Sequence, residues 1–418
     1  MLAVFFVVIS NIYCIFASLY INILYRMKKF YSIFVLCLVV ATQAFAADNK
    51  QCNDATMAAK VDSLELRLAK MEKREKGWAK AKQYLNFSAF IQAAYDWTDA
   101  DNSSTFHLRR ARMNFAGDLY RGKKGAVIDY RLYFDLVRIK LPNPNPILDL
   151  WLRYRPCKEF GVQMGQFKNK FSFEASIGPN KYDFIDFSYA VTRLAKMGSK
   201  DVLGLDVTAR DLGIEFMGGF IHRDGYSVLN YNVAILNGSG INVKDNNKSK
   251  DVMGRLTVKP MKELAVAGYY QWGENVLDAT TAQAYGWTGN PDYVTSHRWG
   301  VGLNYDTKDC FVRTEYIGGL TAELHSAGAY LSGGYKFYAP KMPGYGWIGA
   351  MVDYYSLDAK RAGEATDMRY SLCFGYQPVK YARIQIGYSL EQYIGEGRAF
   401  KNGRPFCNTL KVMATAMF

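Results

Sequence analysis

Basic side chains recur on one parity of several short segments. Arg110 and Arg112 stand two apart in FHLRRARMNF, and Arg131, Arg153 and Arg155 hold like places in the segments that follow. Lys168, Lys170 and Lys181 come next. They lie in a stretch, 168–200, that also carries Arg193, Lys196 and Lys200 against Glu174, Asp183 and Asp186, a formal net of +3. Guanidinium offers an oxyanion a planar fork and lysine a mobile point charge, so such a set could draw in and guide anions. That chemistry is binding rather than turnover. The four histidines (His107, His222, His297, His325) have no readable spacing to a serine and an acid, and no G-x-S-x-G occurs. An enzyme is therefore not expected, and no cofactor is. Cys52, Cys157, Cys310, Cys373 and Cys407 are widely spaced without a C-x-x-C pair, so neither a zinc site nor a disulfide framework is readable.

Cations spaced this way need elements whose two faces meet different solvents. The last twelve residues, CNTLKVMATAMF, put Leu410, Val412, Ala414, Ala416 and Phe418 on one face and Thr409, Lys411, Met413 and Thr415 on the other. YARIQIGYSLEQY opposes Ala382, Ile384, Ile386, Tyr388 and Leu390 to Arg383, Gln385, Ser389 and Glu391, and YLNFSAFIQAAYDW alternates in the same way. Period two is a strand. The chain of 418 residues is 15% aromatic, with 31 Tyr, 36 Gly and only 11 Pro, and shows no long apolar run after residue 47. Segments of about ten residues with one apolar and one charged face suit transmembrane barrel strands.

Short connections such as Lys123-Lys124-Gly125, Arg223-Asp224-Gly225 and Thr307-Lys308 alternate with longer ones near 97–105, 137–146, 168–200, 239–249, 274–295, 358–364 and 394–405. Short turns on one side and long loops on the other fit such a barrel. Inside a bilayer every backbone group must be paired, so the sheet has to close. The predicted fold class is all-β: a closed antiparallel transmembrane β-barrel of about 16 strands over 84–418, its last strand sealing against its first. The alternative for the C-terminal strand is the docked edge of a soluble sandwich.

The N-terminus reads separately. Met27-Lys28-Lys29, the apolar run Phe30 to Ala41 and Ala44-Phe45-Ala46 have the order of a signal peptide over 27–46. Residues 1–26 then read as an upstream extension from a misassigned start, or else as a hydrophobic anchor. Met57, Val61, Leu64, Leu68 and Met71 keep coiled-coil spacing, and Trp78 continues it, so 47–83 is expected to be a periplasmic helical segment. It forms either a stalk or a helix docked on the barrel.

Two stretches also carry a resemblance. FHLRRARMNFAGDL (106–119) resembles the R-R-A-R and following glycine near the start of the phosphate-selective porin (O and P) family. LDLWLRYRPCKEFGVQMGQFKNKFSFE (148–174) is similar to that family's strand–turn–strand ending in G-Q-F-K, with Lys170 where a proline is commoner. The resemblance implies a sixteen-stranded porin, usually trimeric, whose third extracellular loop folds into the pore near 168–200 and whose basic residues line an anion path.

By parity the lumen also receives Arg255, Arg298, Arg313, Arg369, Arg383 and Lys411 together with Asp118, Asp129, Asp135, Asp149, Glu215, Glu263, Glu315, Asp353, Asp367 and Glu391. The wall as a whole is thus close to neutral, and any ion preference must come from a narrow point. The expected function is an outer-membrane channel for passive diffusion of small anions, phosphate or polyphosphate among them. Its anion pathway would be Arg110, Arg112, Arg131, Arg153, Lys168, Lys170 and Lys181. The expected partners are small anionic solutes, outer-membrane lipid and two further copies in a homotrimer; nucleic acid is not expected. Two alternatives stand beside it. Tyr133, Trp151, Tyr269 and Tyr330 have lumen parity and could stack on sugar rings in an oligosaccharide-permeable or general porin. The lysines could also face the extracellular medium while Arg110 and Arg112 merely pair with Asp118 and Asp135.

Overall fold

The computed structural model describes residues 83–418 apart from 123–124, 141–144, 196–201, 203–207, 246, 278, 286, 362–365 and 396–397. The expected signal peptide, the upstream extension and the heptad segment lie outside the described residues. From Asn86 onward the period-two pattern becomes a closed antiparallel barrel of sixteen strands among the described residues. On the first half of the wall are β1 (Asn86–Thr98), β2 (Ser103–Arg121), β3 (Val127–Asp135), β4 (Ile147–Arg155), β5 (Gly161–Lys168), β6 (Arg210–Arg223) and β7 (Tyr226–Leu236). The second half begins with β8 (Asp251–Met261), β9 (Leu264–Asn275), β10 (Val294–Asp306), β11 (Cys310–Thr321) and β12 (Leu324–Phe337). It ends with β13 (Tyr345–Ser356), β14 (Thr366–Val379), β15 (Ala382–Ile394) and β16 (Phe406–Met417).

Each strand neighbours the next in sequence, and β16 returns to β1 in register from Phe90↔Met417 to Thr98↔Thr409. The seam extends one residue further, because Phe418 N donates to Ala89 O at 2.8 Å and Ala89 N to Phe418 O at 3.2 Å. Closure leaves no strand edge, the condition a bilayer imposes. Burial is inverted relative to a soluble protein. In β1 the row Phe87, Ala89, Ile91 faces out, while Phe90, Gln92 and Ala94 are buried inside.

Two connections differ from expectation. The loop expected near 97–105 is only the turn Asp99–Asn102, and β11 meets β12 through Ala322 and Glu323 alone. Both of these adopt positive φ (50° and 70°), the conformation of a tight hairpin turn. The long connection falls between β5 and β6, residues 169–209, and runs beyond the expected 168–200.

That loop turns into the barrel. Gly165, in the G-Q-F-K stretch before it, has φ 127°, and a Cβ there would lie 2.2 Å from Leu150 O. Only glycine lets β5 approach β4 so closely. Beyond it Phe171, Phe173, Tyr182, Phe184, Val191 and Leu194 are buried with Tyr269, Phe311, Tyr330, Trp347 and Met351 of the wall. The loop backbone is held by wall side chains. Glu315 of β11 accepts from Ser172 Oγ (3.0 Å), Phe173 N (3.0 Å), Glu174 N (2.8 Å), Tyr330 OH (2.8 Å) and Tyr269 OH. It thereby fixes the start of the one-turn helix Phe173–Ser176. Carbonyls are taken by arginines: Arg255 reaches Lys170 O and Ser172 O, Arg298 reaches Leu194 O, Arg369 reaches Phe187 O, and Arg383 reaches Asn180 O and Tyr182 O. Trp347 Nε1 donates to Asp183 O at 2.9 Å.

Two outcomes test this arrangement. Deleting Phe418 removes both seam hydrogen bonds and the outward aromatic end. It is expected to lower the amount of heat-modifiable barrel in the outer membrane at unchanged synthesis, and an equal yield would refute the role. Glu315→Ala strands five donors, each costing about 1–3 kcal/mol when left buried without an acceptor. The loop should loosen, and single-channel conductance should become larger and noisier. A trace indistinguishable from the unmodified channel would show that Glu315 does not hold the loop.

Candidate functional site

Because most of the loop's wall contacts fall on β8–β16, with Gln92 of β1 and Arg109 of β2 also touching it, the lumen arginines divide into two groups. Those on the covered side are committed to the loop, as their carbonyl contacts show. The open space lies against the other side. One cavity of about 550 Å³ is bordered by Asn86, Asp118, Arg121, Asp129, Arg131, Trp151 and Arg153, all from β1–β4. Another of about 380 Å³ is bordered by Arg155, Met217, Ser227, Asn230 and Asn232. Arg131 and Arg153 border the larger cavity, whereas Arg110 and Arg112, also on the lumen side, border neither of the two.

Their partners differ. Arg112 Nε pairs with Asp135 at 2.8 Å. Arg131 meets Asp149 at 3.1 Å, with Nε on Asn114 Oδ1 at 2.7 Å, and Arg153 binds Asp129 through Nε and Nη2 at 2.9 and 2.6 Å. Asp118 pairs with Arg121, not with Arg110. Arg110 donates Nη1 to Gln92 Oε1 at 2.9 Å and meets no carboxylate among the described residues. Lys168 Nζ lies 3.4 Å from Ile177 O, and its electrostatic neighbours are Arg210, Arg112, Asp149 and Lys170. Lys170 is half-buried and Lys181 exposed, and neither pairs with an acid among the described residues. Lys196 and Lys200 lie outside the described residues.

The acids of the loop are spent elsewhere. Asp183 is shared by Arg313 (2.8 Å) and Arg383 (3.6 Å). Asp186 meets Arg109 at 2.5 Å and Lys411 at 2.7 Å; against the opposing effect of burial, these cations hold its carboxyl well below the usual range. Glu174 accepts from Ser188 N, Ser188 Oγ and Tyr182 OH, and burial, with the Glu315 charge beside it, pushes its carboxyl up to about 7. A buried carboxylate without a cation gives up part of its charge near neutral pH. Asp183 and Asp186 are thus paired with wall cations, while Glu174 is held by residues of the loop itself.

Two arginines escaped the parity reading. A bulge opposite Gln92 and Ala93 pairs Gln92 with Arg110 and Ala93 with Leu108, so the extra residue Arg109 reaches Asp186 inside the barrel. Strict alternation back from Glu215 would send Arg210 outward. Instead it follows two residues of positive φ, Thr208 (46°) and Ala209 (55°), and binds Asp149 at 2.7 Å. The adjacent R-R in the sequence was the available signal for the first; nothing in the sequence marks the second.

The aromatic candidates also part ways. Tyr133 is buried, with the guanidinium carbons of Arg131, Arg112 and Arg210 at 4.5, 5.7 and 5.9 Å from its ring centroid. It stacks on cations rather than offering a face to sugar. Trp151 carries Arg153 at 4.7 Å but still borders the larger cavity. Tyr269 and Tyr330 lie under the loop with their hydroxyls on Glu315. One histidine does meet a serine and an acid, across a sequence distance that hid it. His222 lies 2.9 Å from Ser227 Oγ and 2.8 Å from Glu159 Oε1, on the exposed turn side of β6 and β7.

Comparison with known proteins places this geometry. Three solved structures illustrate the fold likeness, each covering 80% of this chain. An OmpF from Salmonella typhi in complex with daunomycin has a TM-score of 0.60 at 12% identity, with 97% of that chain covered. An anion-selective porin from Comamonas acidovorans has 0.57 at 9%, with 99% covered. A loop-deletion mutant of OmpT, an outer membrane protein of Vibrio cholerae, has 0.57 at 11%, with 99% covered. At such identities the likeness is one of fold. No curated protein matches the chain by sequence. The sequence profile of the family described as phosphate-selective porin O and P, however, matches residues 82–307, more than half of the chain, and the protein belongs to that family.

Proposed function

We propose that the protein is an outer-membrane porin whose channel favours small anions in passive diffusion. Family membership and the closed sixteen-stranded barrel support a porin channel in the outer membrane of a Gram-negative bacterium. The observation that carries the anion preference is the asymmetric pairing. Asp183 and Asp186 are neutralised by Arg313, Arg383, Arg109 and Lys411, whereas Lys168, Lys170, Lys181 and Arg110 meet no carboxylate among the described residues. Unpaired cations beside a lumen narrowed by a folded loop set a positive potential where solute must pass.

Arg112, Arg131 and Arg153 extend the positive field along the open wall, though Asp135, Asp149 and Asp129 offset much of it. Phosphate and polyphosphate fit this path as solutes, and a trimer of such barrels, with 47–83 on the periplasmic side, is the assembly we infer from the family. An export signal at 27–46 belongs to the same reading. Trp151 beside the larger cavity is the one feature favouring a general or sugar-permeable channel.

Replacing Lys168 and Lys170 together with Glu should swing the zero-current potential in a KCl gradient toward cations, far more than replacing Lys248, a lysine of the connection between β7 and β8, does. Equal shifts, or an unmodified pore already selective for cations, would leave a general diffusion channel. The anion preference should also depend on pH. Burial, with the like charges of Arg255 and Arg131, lowers the Lys170 ammonium below its ordinary 10.5, while Glu215 and Asp149 oppose the shift. A lysine with a lowered pKa loses its charge earlier as pH rises, so anion preference should decline before pH 10.5 and the decline should be smaller in Lys170→Arg. A flat profile up to that pH would count against Lys170 as part of the path.

A further inference from the structure

The inserted loop is tied together by a carboxylate that no cation balances. Glu174 and Glu315 are 0% and 1% exposed, and neither forms an ion pair among the described residues. Glu315 belongs to the wall and binds the start of the loop's first helical turn; Glu174 belongs to that turn and holds the loop to itself. Its Oε2 accepts from Ser188 N (3.0 Å) and Ser188 Oγ (2.6 Å), and its Oε1 from Tyr182 OH. Ser188 is the N-cap of a second short helix, Tyr189–Leu194, where its Oγ also accepts from Val191 N at 3.3 Å. Glu174 therefore joins two helical turns of the loop across fourteen residues, and Glu315 joins the first of them to β11.

Two effects oppose each other at Glu174. Three donors favour its anion, whereas complete burial and the neighbouring Glu315 charge disfavour it. The second effect wins, since the carboxyl is pushed up to about 7. The cations of the surrounding wall are committed elsewhere. Arg255 of β8 is on Lys170 O and Ser172 O and beside Glu315, Arg313 of β11 binds Asp183 and Asp306, and Arg369 of β14 binds Asp353 and Phe187 O. The other titratable groups facing Glu174 are phenols: Tyr182 of the loop, Tyr269 of β9 and Tyr330 of β12. Burial and the Glu174 carboxylate keep the Tyr182 phenol protonated well above its ordinary 10.0.

Both hydroxyls that donate to Glu174 can also accept. Ser188 Oγ or Tyr182 OH can therefore receive the proton of a neutral carboxyl, and the seated loop holds that form without a change of partners. The anion keeps the same partners but stands buried beside Glu315. A loop released into water would carry a carboxyl at its ordinary 4.5, so seating takes up a proton between there and about 7. Seating is thus strongest in acid and weakens as pH rises through about 7.

We propose that Glu174 is a pH-sensitive tie in the inserted loop, holding it firmly against the wall while neutral and easing it when ionised, so that the open width of the channel follows pH. The tie acts on the width of the passage and needs only that the barrel conducts. The anion preference proposed above is a separate property, read from the zero-current potential.

Single channels in planar bilayers, recorded from about pH 5 to about pH 9 at fixed KCl, span the range in which the tie changes state. Barrel formation in every variant is read from heat-modifiable migration. The unmodified channel should be least conducting and quietest at the acid end, and its conductance and open-channel noise should rise together with a midpoint near pH 7. Glu174→Gln keeps the size and an accepting oxygen but cannot ionise, so it should stay quiet across the range. Tyr182→Phe keeps the ring and removes one donor from the anion, so the midpoint should move up by about one pH unit. An unmodified channel whose conductance and noise are flat over this range overturns the proposal, as does a Glu174→Gln channel that keeps the rise and its midpoint. If Glu174→Gln forms no barrel, Tyr182→Phe decides, and an unmoved midpoint overturns the assignment. None of these results bears on the anion preference, which the KCl-gradient potential tests by itself.

Discussion

A loop drawn inside a barrel must find partners for amides and carbonyls that water would otherwise satisfy, and the rest of this structure depends on how the wall supplies them. Glu315 takes the two amides that start the one-turn helix, and Arg255, Arg298, Arg369 and Arg383 take the carbonyls of the residues around it. An unpaired buried backbone group costs as much as a lost hydrogen bond or more. The aromatic cluster beneath the loop adds apolar burial, but burial alone has no direction. The guanidinium and carboxylate contacts choose one side of the barrel, and the solute path is what the loop leaves free.

The same contacts decide the electrostatics. Arginines that would have lined the far wall are consumed in holding the loop, and two of them, Arg313 and Arg383, also neutralise Asp183. Arg109 and Lys411 do the same for Asp186. A chain whose lumen charges nearly balance by count thereby becomes lopsided by position. Asp183 and Asp186 of the loop are paired with wall cations, and several of the cations are not paired. Counting charges along the wall could not have separated these cases, since pairing in the lumen sets the local potential more than the total does.

Tyr133 shows how an aromatic can serve a charged wall. Its ring lies among Arg112, Arg131 and Arg210, which carry Asp135 and Asp149 between them. Like charges brought this close repel, and the ring face and the two carboxylates offset that repulsion. The patch can then be dense in arginine without being strongly positive, which is why the unpaired lysines and Arg110 matter more than the longer row of arginines beside them.

The sequence by itself determined the strand count, the closing seam and the facing of most side chains. Two solvents, hydrocarbon outside and water inside, write themselves into every second residue, and Phe418 ends the chain on the outward row. It also determined that Arg110, Arg112, Arg131 and Arg153 would stand on the lumen side. Alternation carries no information where the backbone departs from it. The bulge at Arg109 and the positive-φ pair before Arg210 each reversed a side chain, and the loops expected near 97–105 shrank to a turn. Which cations pair, and which half of the wall the loop covers, was settled only in three dimensions. Glu315 and Ser172 are 143 residues apart, Arg383 and Tyr182 are 201 apart, and Lys411 and Asp186 are 225 apart. Local pattern fixes a face of a strand, but the choice among partners on facing walls depends on where closure and the inserted loop bring them.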